Sequence, residues 1–122
     1  MFKLHNENPS GANIGDCYIR AIATAYGLDY NTVKHGLIKN SKEIGVGSAY
    51  FENIISYLKK EGLHANLYQM NKTISVKKCC DTFNKGNYIF FTYNHMVAVK
   101  DGNYYDTYDS GLKRVTLVLE VK

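Results

Sequence analysis

The chain has 122 residues, of which 45% are hydrophobic, so it is long and apolar enough to bury a core without disulfides or metal ions. Its net charge of +4 is mild and its basic residues are spread out, which argues against nucleic acid as a partner. No apolar stretch approaches the roughly 20 residues of a membrane helix, so no membrane span is expected. We predict one domain over residues 1–122.

The amino-terminal segment and the cysteines indicate in which cellular compartment the protein is expected. Residues 1–8 carry one lysine with no apolar block after it, which is unlike a secretory signal. The three cysteines are an odd number, and Cys79 and Cys80 are neighbours that would pair with each other only under strain. We therefore expect reduced thiols and a cytoplasmic protein.

Three helices are predicted in the first half of the chain, after a loop over residues 1–15 that is rich in Asn and Gly. The helix from Cys17 to Tyr26 is apolar nearly all round and is expected to be buried. The two helices that follow have narrower apolar faces. Glycine and polar residues mark the predicted helix ends: Gly27, Asp29 or Asn31, Asn40 with Ser41, Ser48, and Gly62.

The second half of the chain changes to the patterns of β-strands. A short amphipathic helix is expected from Ser75 to Asn84. The predicted strands are Leu63 to Tyr68, Tyr88 to Tyr93, His95 to Lys100, Tyr104 to Tyr108, and Arg114 to Val121. Helices first and an antiparallel sheet afterwards define an α+β fold.

Cys17 stands at the first or second residue of its helix. Unpaired backbone amides and the helix dipole favour a negative charge there, which lowers the pKa of a thiol and makes the nucleophilic thiolate available. The alternative is a small buried apolar residue, which is the commoner role of a free cysteine. Asp16, just before it, is a good helix cap, yet its charge would oppose the thiolate.

His95 opens a strand that is joined to the next one by Asp101-Gly102, a typical two-residue type I′ turn. In this register Val97 faces Asp106, so Asp106 lies diagonal to His95 on the same face of the sheet. A carboxylate at that position can accept the imidazole proton. A loop of three residues would reverse the parity and favour Asp109 instead.

The remaining candidates carry weaker signals. Cys79 and Cys80 lack a second cysteine or histidine pair at zinc spacing, so we expect no metal site and no cofactor. The eleven tyrosines are expected to complete the core and line a cleft. The other histidines are expected at the surface: His5, His35 and His64.

The order of Cys17, His95 and Asp106 resembles that of the papain-like cysteine peptidases. Three segments look similar to small papain-like proteins of bacteria and their phages: Gly15–Ile22, Asn94–Val99 and Tyr105–Ser110. The bacteriocin-leader peptidases that cut after double glycine are similar in plan. The resemblance covers the chain from about residue 8 onwards. It implies a papain-like fold in which amino-terminal helices carrying the cysteine pack on a carboxy-terminal antiparallel sheet carrying the histidine and the acid.

This resemblance also implies a mechanism. His95 draws the proton from Cys17, the thiolate attacks the carbonyl of a peptide or isopeptide bond, and water releases the acyl-enzyme, while Asp106 orients the histidine. A protein or peptide substrate in the cytoplasm of a bacterium or phage-infected cell is expected. Deamidation and acyl transfer use the same three residues. A catalytically idle protein would instead use the cleft to bind a partner, as in a phage inhibitor of a host protein.

One position departs from the papain-like pattern. These enzymes usually hold a glutamine six residues before the cysteine, where its amide helps to bind the oxyanion, and Gly11 occupies that position here. Asn13 is the candidate substitute, and Asn8 a weaker one, beside the backbone amide of Cys17. The alternative is that both asparagines are ordinary loop residues.

Overall fold

The computed structural model describes residues 1–12, 15–63 and 65–121. Four helices lie in these segments: α1 (Cys17–Tyr26), α2 (Tyr30–Ile44), α3 (Phe51–Lys60) and α4 (Val76–Thr82). The strands are β1 (Phe2–Leu4), β2 (Ala65–Ser75), β3 (Asn87–Thr92), β4 (His95–Lys100), β5 (Asn103–Asp106) and β6 (Arg114–Val121). They form one mixed sheet in the order β1-β5-β4-β3-β6-β2. None of the described helices combines the length and apolarity needed to cross a membrane.

The central strands of the sheet are buried on both faces, which makes three layers. The first three helices cover one face and α4 covers part of the other. The side chains of β4 alternate between the two faces of the sheet, so this strand contributes to the hydrophobic core on each face. Met96 and Ala98 join the core beneath α1, whereas Val97 and Val99 join the core beneath α4. The α+β class and the helices-first order are as predicted.

Helix α1 has the predicted bounds and burial. It begins at Cys17 and stops at Gly27, whose φ of 68° is the left-handed conformation that glycine adopts at low cost. The helix packs against β4 at the centre of the sheet. Its amino terminus is thereby brought to the end of the sheet where β4 begins.

Helix α2 continues one turn past the stop that was predicted at Asn40 and Ser41. Both residues are buried, and Asn40 Nδ2 donates to Asn53 Oδ1 at 2.9 Å, so the polar side chain is satisfied by α3 and does not end the helix. At the other end, the Asp29 carboxylate accepts the backbone N–H of Thr32 at 3.0 Å. Asp29, and not Asn31, is therefore the residue that caps α2. Helix α3 begins at residue 51, three residues later than predicted.

The prediction of a purely antiparallel, carboxy-terminal sheet was wrong at one edge. Residues 2–4, predicted as loop, form a strand parallel to β5, with Phe2 opposite Tyr104. Three residues are too few to show an alternating pattern, so only the tertiary pairing reveals this strand. Strand β2 is longer than predicted because it pairs with β6 across an irregularity between Gln69 and Ile74. Strand β5 ends at Asp106, two residues before the predicted end.

The hairpin between β4 and β5 has the predicted register. Asp101 and Gly102 have φ of 47° and 79°, as a type I′ turn requires. Lys100 pairs with Asn103, and Val99 with Tyr104. The two-residue loop is thus confirmed, and with it the parity that points Asp106 towards His95.

Candidate active site

Cys17 is a half-buried residue at the start of α1, and its thiol meets the first residues of β4. The thiol lies close enough to the His95 side chain and to the backbone N–H of Met96 for both groups to stabilise its charged form. The alternating hydrogen bonds of β4 direct this N–H towards β5. Because β5 ends at Asp106, the Met96 N–H has no strand partner and is left for the sulfur.

His95 is buried and lies between the thiol and an acid. Its Nε2 and Oδ2 of Asp106 are 2.6 Å apart, and both side chains are less than a tenth exposed. Since Nε2 is engaged by Asp106, the ring nitrogen that faces Cys17 is Nδ1. Tyr108 lies against the imidazole with 5.3 Å between ring centroids. The structure brings the three predicted residues together in the predicted order.

Asp106 is fixed by the turn that follows β5. The hydroxyl of Ser110 donates to Oδ2 at 2.6 Å, and the backbone N–H of Thr107 donates to Oδ1 at 2.8 Å. Asp109, the rival acid, is exposed, and its Oδ1 accepts the backbone N–H of Gly111 at 3.0 Å. The contact of Asp106 with His95 is therefore confirmed, and Asp109 serves the loop as predicted.

The electrostatics favour a charged pair of thiolate and imidazolium. Burial acts to raise the pKa of Cys17, but the hydrogen bonds from His95 and Met96, with the positive charges of His95 and Arg20, hold that pKa below its usual value. Burial acts to lower the pKa of His95, yet its bonds with Asp106 and Cys17 raise the pKa to about 9. At neutral pH the thiol is shifted towards thiolate and the ring towards imidazolium.

Asp106 supplies the negative charge behind the imidazole. Burial acts to raise the pKa of this carboxyl, but its hydrogen bonds with His95, Ser110 and the backbone of Thr107, together with the charge of His95, lower the pKa overall. The carboxylate therefore stays ionised while His95 carries its proton.

Arg20 is a member of this network that the sequence analysis missed. It lies one turn after Cys17 on α1, and its side chain is only 10% exposed. Nε donates to Asp16 Oδ1 at 2.8 Å, while Nη1 lies 3.5 Å from Asp106 Oδ1 and 3.2 Å from Thr107 Oγ1. A lone arginine on an otherwise apolar helix, four residues after an aspartate, was the signal available in the sequence.

Asp16 does not cap α1 with its side chain. Its Oδ2 accepts the hydroxyl of Tyr30 at 2.6 Å and Nδ2 of Asn8 at 3.2 Å, while Oδ1 faces Arg20. Asp16 is the N-cap residue of α1 as expected, but its side chain makes no capping hydrogen bond, because a buried arginine and a tyrosine hydroxyl are its partners. The charge that was expected to oppose the thiolate is paired.

The predicted oxyanion donors are placed only in part. Asn8 is buried, donates to Asp16, and accepts the backbone N–H of Ser10 at 3.0 Å, so it organises the loop before α1. Asn13 lies outside the described residues. Gly11 has a φ of 70°, the left-handed region. One predicted oxyanion donor remains among the described residues. It is the backbone N–H of Cys17, at the start of α1, where backbone amides have no partner within the helix.

A cleft of about 370 Å³ opens beside Cys17 and His95. Its described lining is mainly apolar and aromatic and includes no Asp, Glu, Lys or Arg side chain. Phe51 of α3 and Phe91 of β3 meet edge to face in its wall, 5.7 Å apart. Asn94, with a φ of 60°, lies at the cleft beside the histidine. The volume is within the range of about 300–1,000 Å³ typical of ligand sites.

The other described cysteines and histidines do not line this cleft. Burial is the main cause that raises the pKa of Cys79 to about 12 and that of Cys80 to about 11, which makes both thiols poor nucleophiles. His5 is exposed and pairs with Glu7, and His35 is exposed. His64 is not among the described residues. Within the described segments, no group of three or more His, Cys, Asp or Glu residues could hold a metal ion.

Comparisons of the chain with protein-family models, with curated proteins and with solved structures gave no match. The resemblance to papain-like peptidases therefore stays a prediction that is based on the residues and their order.

Proposed function

We propose that this protein is a papain-like cysteine hydrolase that cleaves a peptide or isopeptide bond. Cys17 is the nucleophile, His95 its proton-transfer partner and Asp106 the acid that orients the ring. One observation carries the proposal: Cys17 and His95 line the same apolar cleft, and Asp106 Oδ2 lies 2.6 Å from His95 Nε2.

The first chemical step uses the charged pair. The Cys17 thiolate attacks the substrate carbonyl carbon, and a tetrahedral oxyanion forms, which the backbone N–H of Cys17 is placed to bind. As the intermediate collapses, the C–N bond breaks and the His95 imidazolium gives its proton to the leaving amine. A thioester on Cys17 and a neutral His95 result.

The second step restores the enzyme. Neutral His95 takes a proton from water, and the water oxygen attacks the thioester carbonyl. The carboxylic acid product leaves, and Cys17 and His95 are again thiolate and imidazolium. Asp106 stays ionised throughout and stabilises each imidazolium that forms.

The cleft indicates the kind of substrate. Its apolar and aromatic walls suit an extended protein segment with an apolar side chain near the scissile bond. The described chain has three free cysteines, which suits a reducing compartment. We therefore propose a protein or peptide substrate in the cytoplasm of a bacterium or a phage-infected cell.

Incubation with a peptide pool prepared from bacterial protein, followed by mass spectrometry of new amino termini, tests the proposal. The wild-type protein should produce new termini, with apolar residues enriched near the cut, and a Cys17→Ala variant should produce none. Amide side chains converted to acids without chain cleavage would identify a deamidase, and new acyl adducts would identify a transferase. Stable capture of an uncut protein by both forms would favour the catalytically idle binder.

A further inference from the structure

Arg20 occupies a buried position between two carboxylates. Its guanidinium contacts Asp16 through Nε, at 2.8 Å, and Asp106 through Nη1, at 3.5 Å. The same Nη1 donates to Thr107 Oγ1 at 3.2 Å. Arg20 thereby connects α1, which carries Cys17, to Asp106 at the end of β5 and to Thr107 in the turn that follows. No other described lysine or arginine side chain is buried.

The charges around the thiol explain why a fixed cation is needed there. The groups that face Cys17 and its partners are His95 on β4, Asp106 at the end of β5, Arg20 on α1, and Asp16 with Tyr30 on its far side. Without Arg20, two buried carboxylates and a thiolate would be balanced by a single imidazolium. Such an excess of buried negative charge disfavours the thiolate.

We propose that Arg20 is a positioning residue that holds Asp106 against His95 and supplies the permanent positive charge that keeps Cys17 ionised. This inference rests on the proposed function of the same site. Arginine suits the role because its planar fork spans two acceptors and does not lose its proton at any working pH. The contribution of Arg20 to lowering the pKa of Cys17 is consistent with this role.

The test is the rate at which iodoacetamide alkylates Cys17 as a function of pH, followed by mass spectrometry of the peptide that contains it. Wild type is compared with Arg20→Gln, which removes the charge but leaves a donor for Asp16, and with Arg20→Lys, which keeps the charge. In the Gln variant the midpoint should move to higher pH, so that alkylation at mildly acidic pH falls by about tenfold. The Lys variant should return the midpoint towards that of wild type.

Loss of one partner from a buried ion pair is strongly destabilising, so the Gln variant alone is not sufficient. The double variant Asp16→Asn, Arg20→Gln removes both charges of that pair and leaves no unpaired carboxylate at position 16. Its net charge around Cys17 equals that of wild type, but Asp106 has lost its guanidinium contact, so the midpoint should rise by less than in the Gln variant.

Two results would overturn the inference. One is a folded Gln or double variant whose alkylation midpoint equals that of wild type. The other is a Lys variant whose midpoint is shifted as far as that of the Gln variant. A wild-type Cys17 that titrates like an ordinary thiol would overturn the proposed function as well. An activated wild-type thiol that none of the variants shifts would overturn the role of Arg20 alone.

Discussion

Asp106 determines the charge of His95, because it is the acid in contact with the ring. The 2.6 Å contact between Nε2 and Oδ2 is supported from behind by Ser110 and Thr107. An asparagine at position 106 would keep the shape and one acceptor, but it would carry no charge. The attraction that raises the pKa of His95 to about 9 would be weakened.

Replacement of Asp106 by Asn should therefore lower the pKa of His95 and raise that of Cys17. Because the imidazolium is present below the folded pKa and lost above it, the alkaline limb of activity, expected near pH 9, should move to lower pH. Hydrolysis should fall by about two orders of magnitude. Steady-state rates across pH check both effects.

Asp109→Asn is the matched control for this variant. It keeps the oxygen that accepts from Gly111 and does not contact His95, so rates should remain close to wild type. Equal losses in the two variants would contradict the assignment of Asp106.

The acid was predictable from the sequence, whereas its support was not. Alternation of side chains and a two-residue turn were enough to select Asp106 over Asp109. The role of Arg20 was signalled only by its place on an otherwise apolar helix, and the packed structure was needed to show its two carboxylate partners. The same holds for Met96, whose free N–H depends on where β5 ends.

Among the elements, the β4–β5 hairpin has the strongest influence on the site. Gly102 has a φ of 79°, and a Cβ added there would meet its nearest neighbours at 3.5 Å, which is ordinary contact. An alanine would therefore strain the backbone without a steric clash. Glycine at this position keeps the turn at two residues and so keeps Asp106 on the face of His95.

We predict that Gly102→Ala lowers the free energy of unfolding by about 1–2 kcal/mol. Urea unfolding monitored by circular dichroism measures this loss. Gly15→Ala is a suitable control, since Gly15 has no positive φ and a Cβ there meets nothing within 4 Å. Equal midpoints for the two variants would show that the left-handed conformation at position 102 is not required.

Elements that depend on local signals were predicted well, and elements that depend on pairing were not. Helix α1 and the hairpin are marked by Gly27 and by Asp101-Gly102, which act through their own backbone angles. Strand β1 and the second half of β2 exist because β5 and β6 pair with them. The polar residues 40 and 41 predicted a helix end, but the side chain of Asn40 has its hydrogen-bond partner, Asn53, on α3, so the helix continues.

At the scale of the whole molecule, the three layers separate the cysteines by environment. Cys79 and Cys80 lie on α4 and pack in the core between this helix and the sheet, and both are less than a twentieth exposed. Cys17 is half-buried, borders the cleft that His95 also lines, and interacts with that histidine. Opening the buried pair to solvent requires the unfolding of a core layer, so their reactivity should follow the stability of the fold.

Labelling with a small vinyl-sulfone probe, followed by peptide mapping, tests the central claim most directly. In the folded protein at neutral pH we predict that Cys17 alone is modified, and that His95→Gln largely abolishes this modification, since the variant lacks the imidazolium that stabilises the thiolate. Cys79 and Cys80 should react only after urea has unfolded the chain. Faster labelling of Cys79 or Cys80 than of Cys17 in the folded protein, or equal labelling of Cys17 in the His95→Gln variant, would contradict the assignment of Cys17 and His95 as the reactive pair.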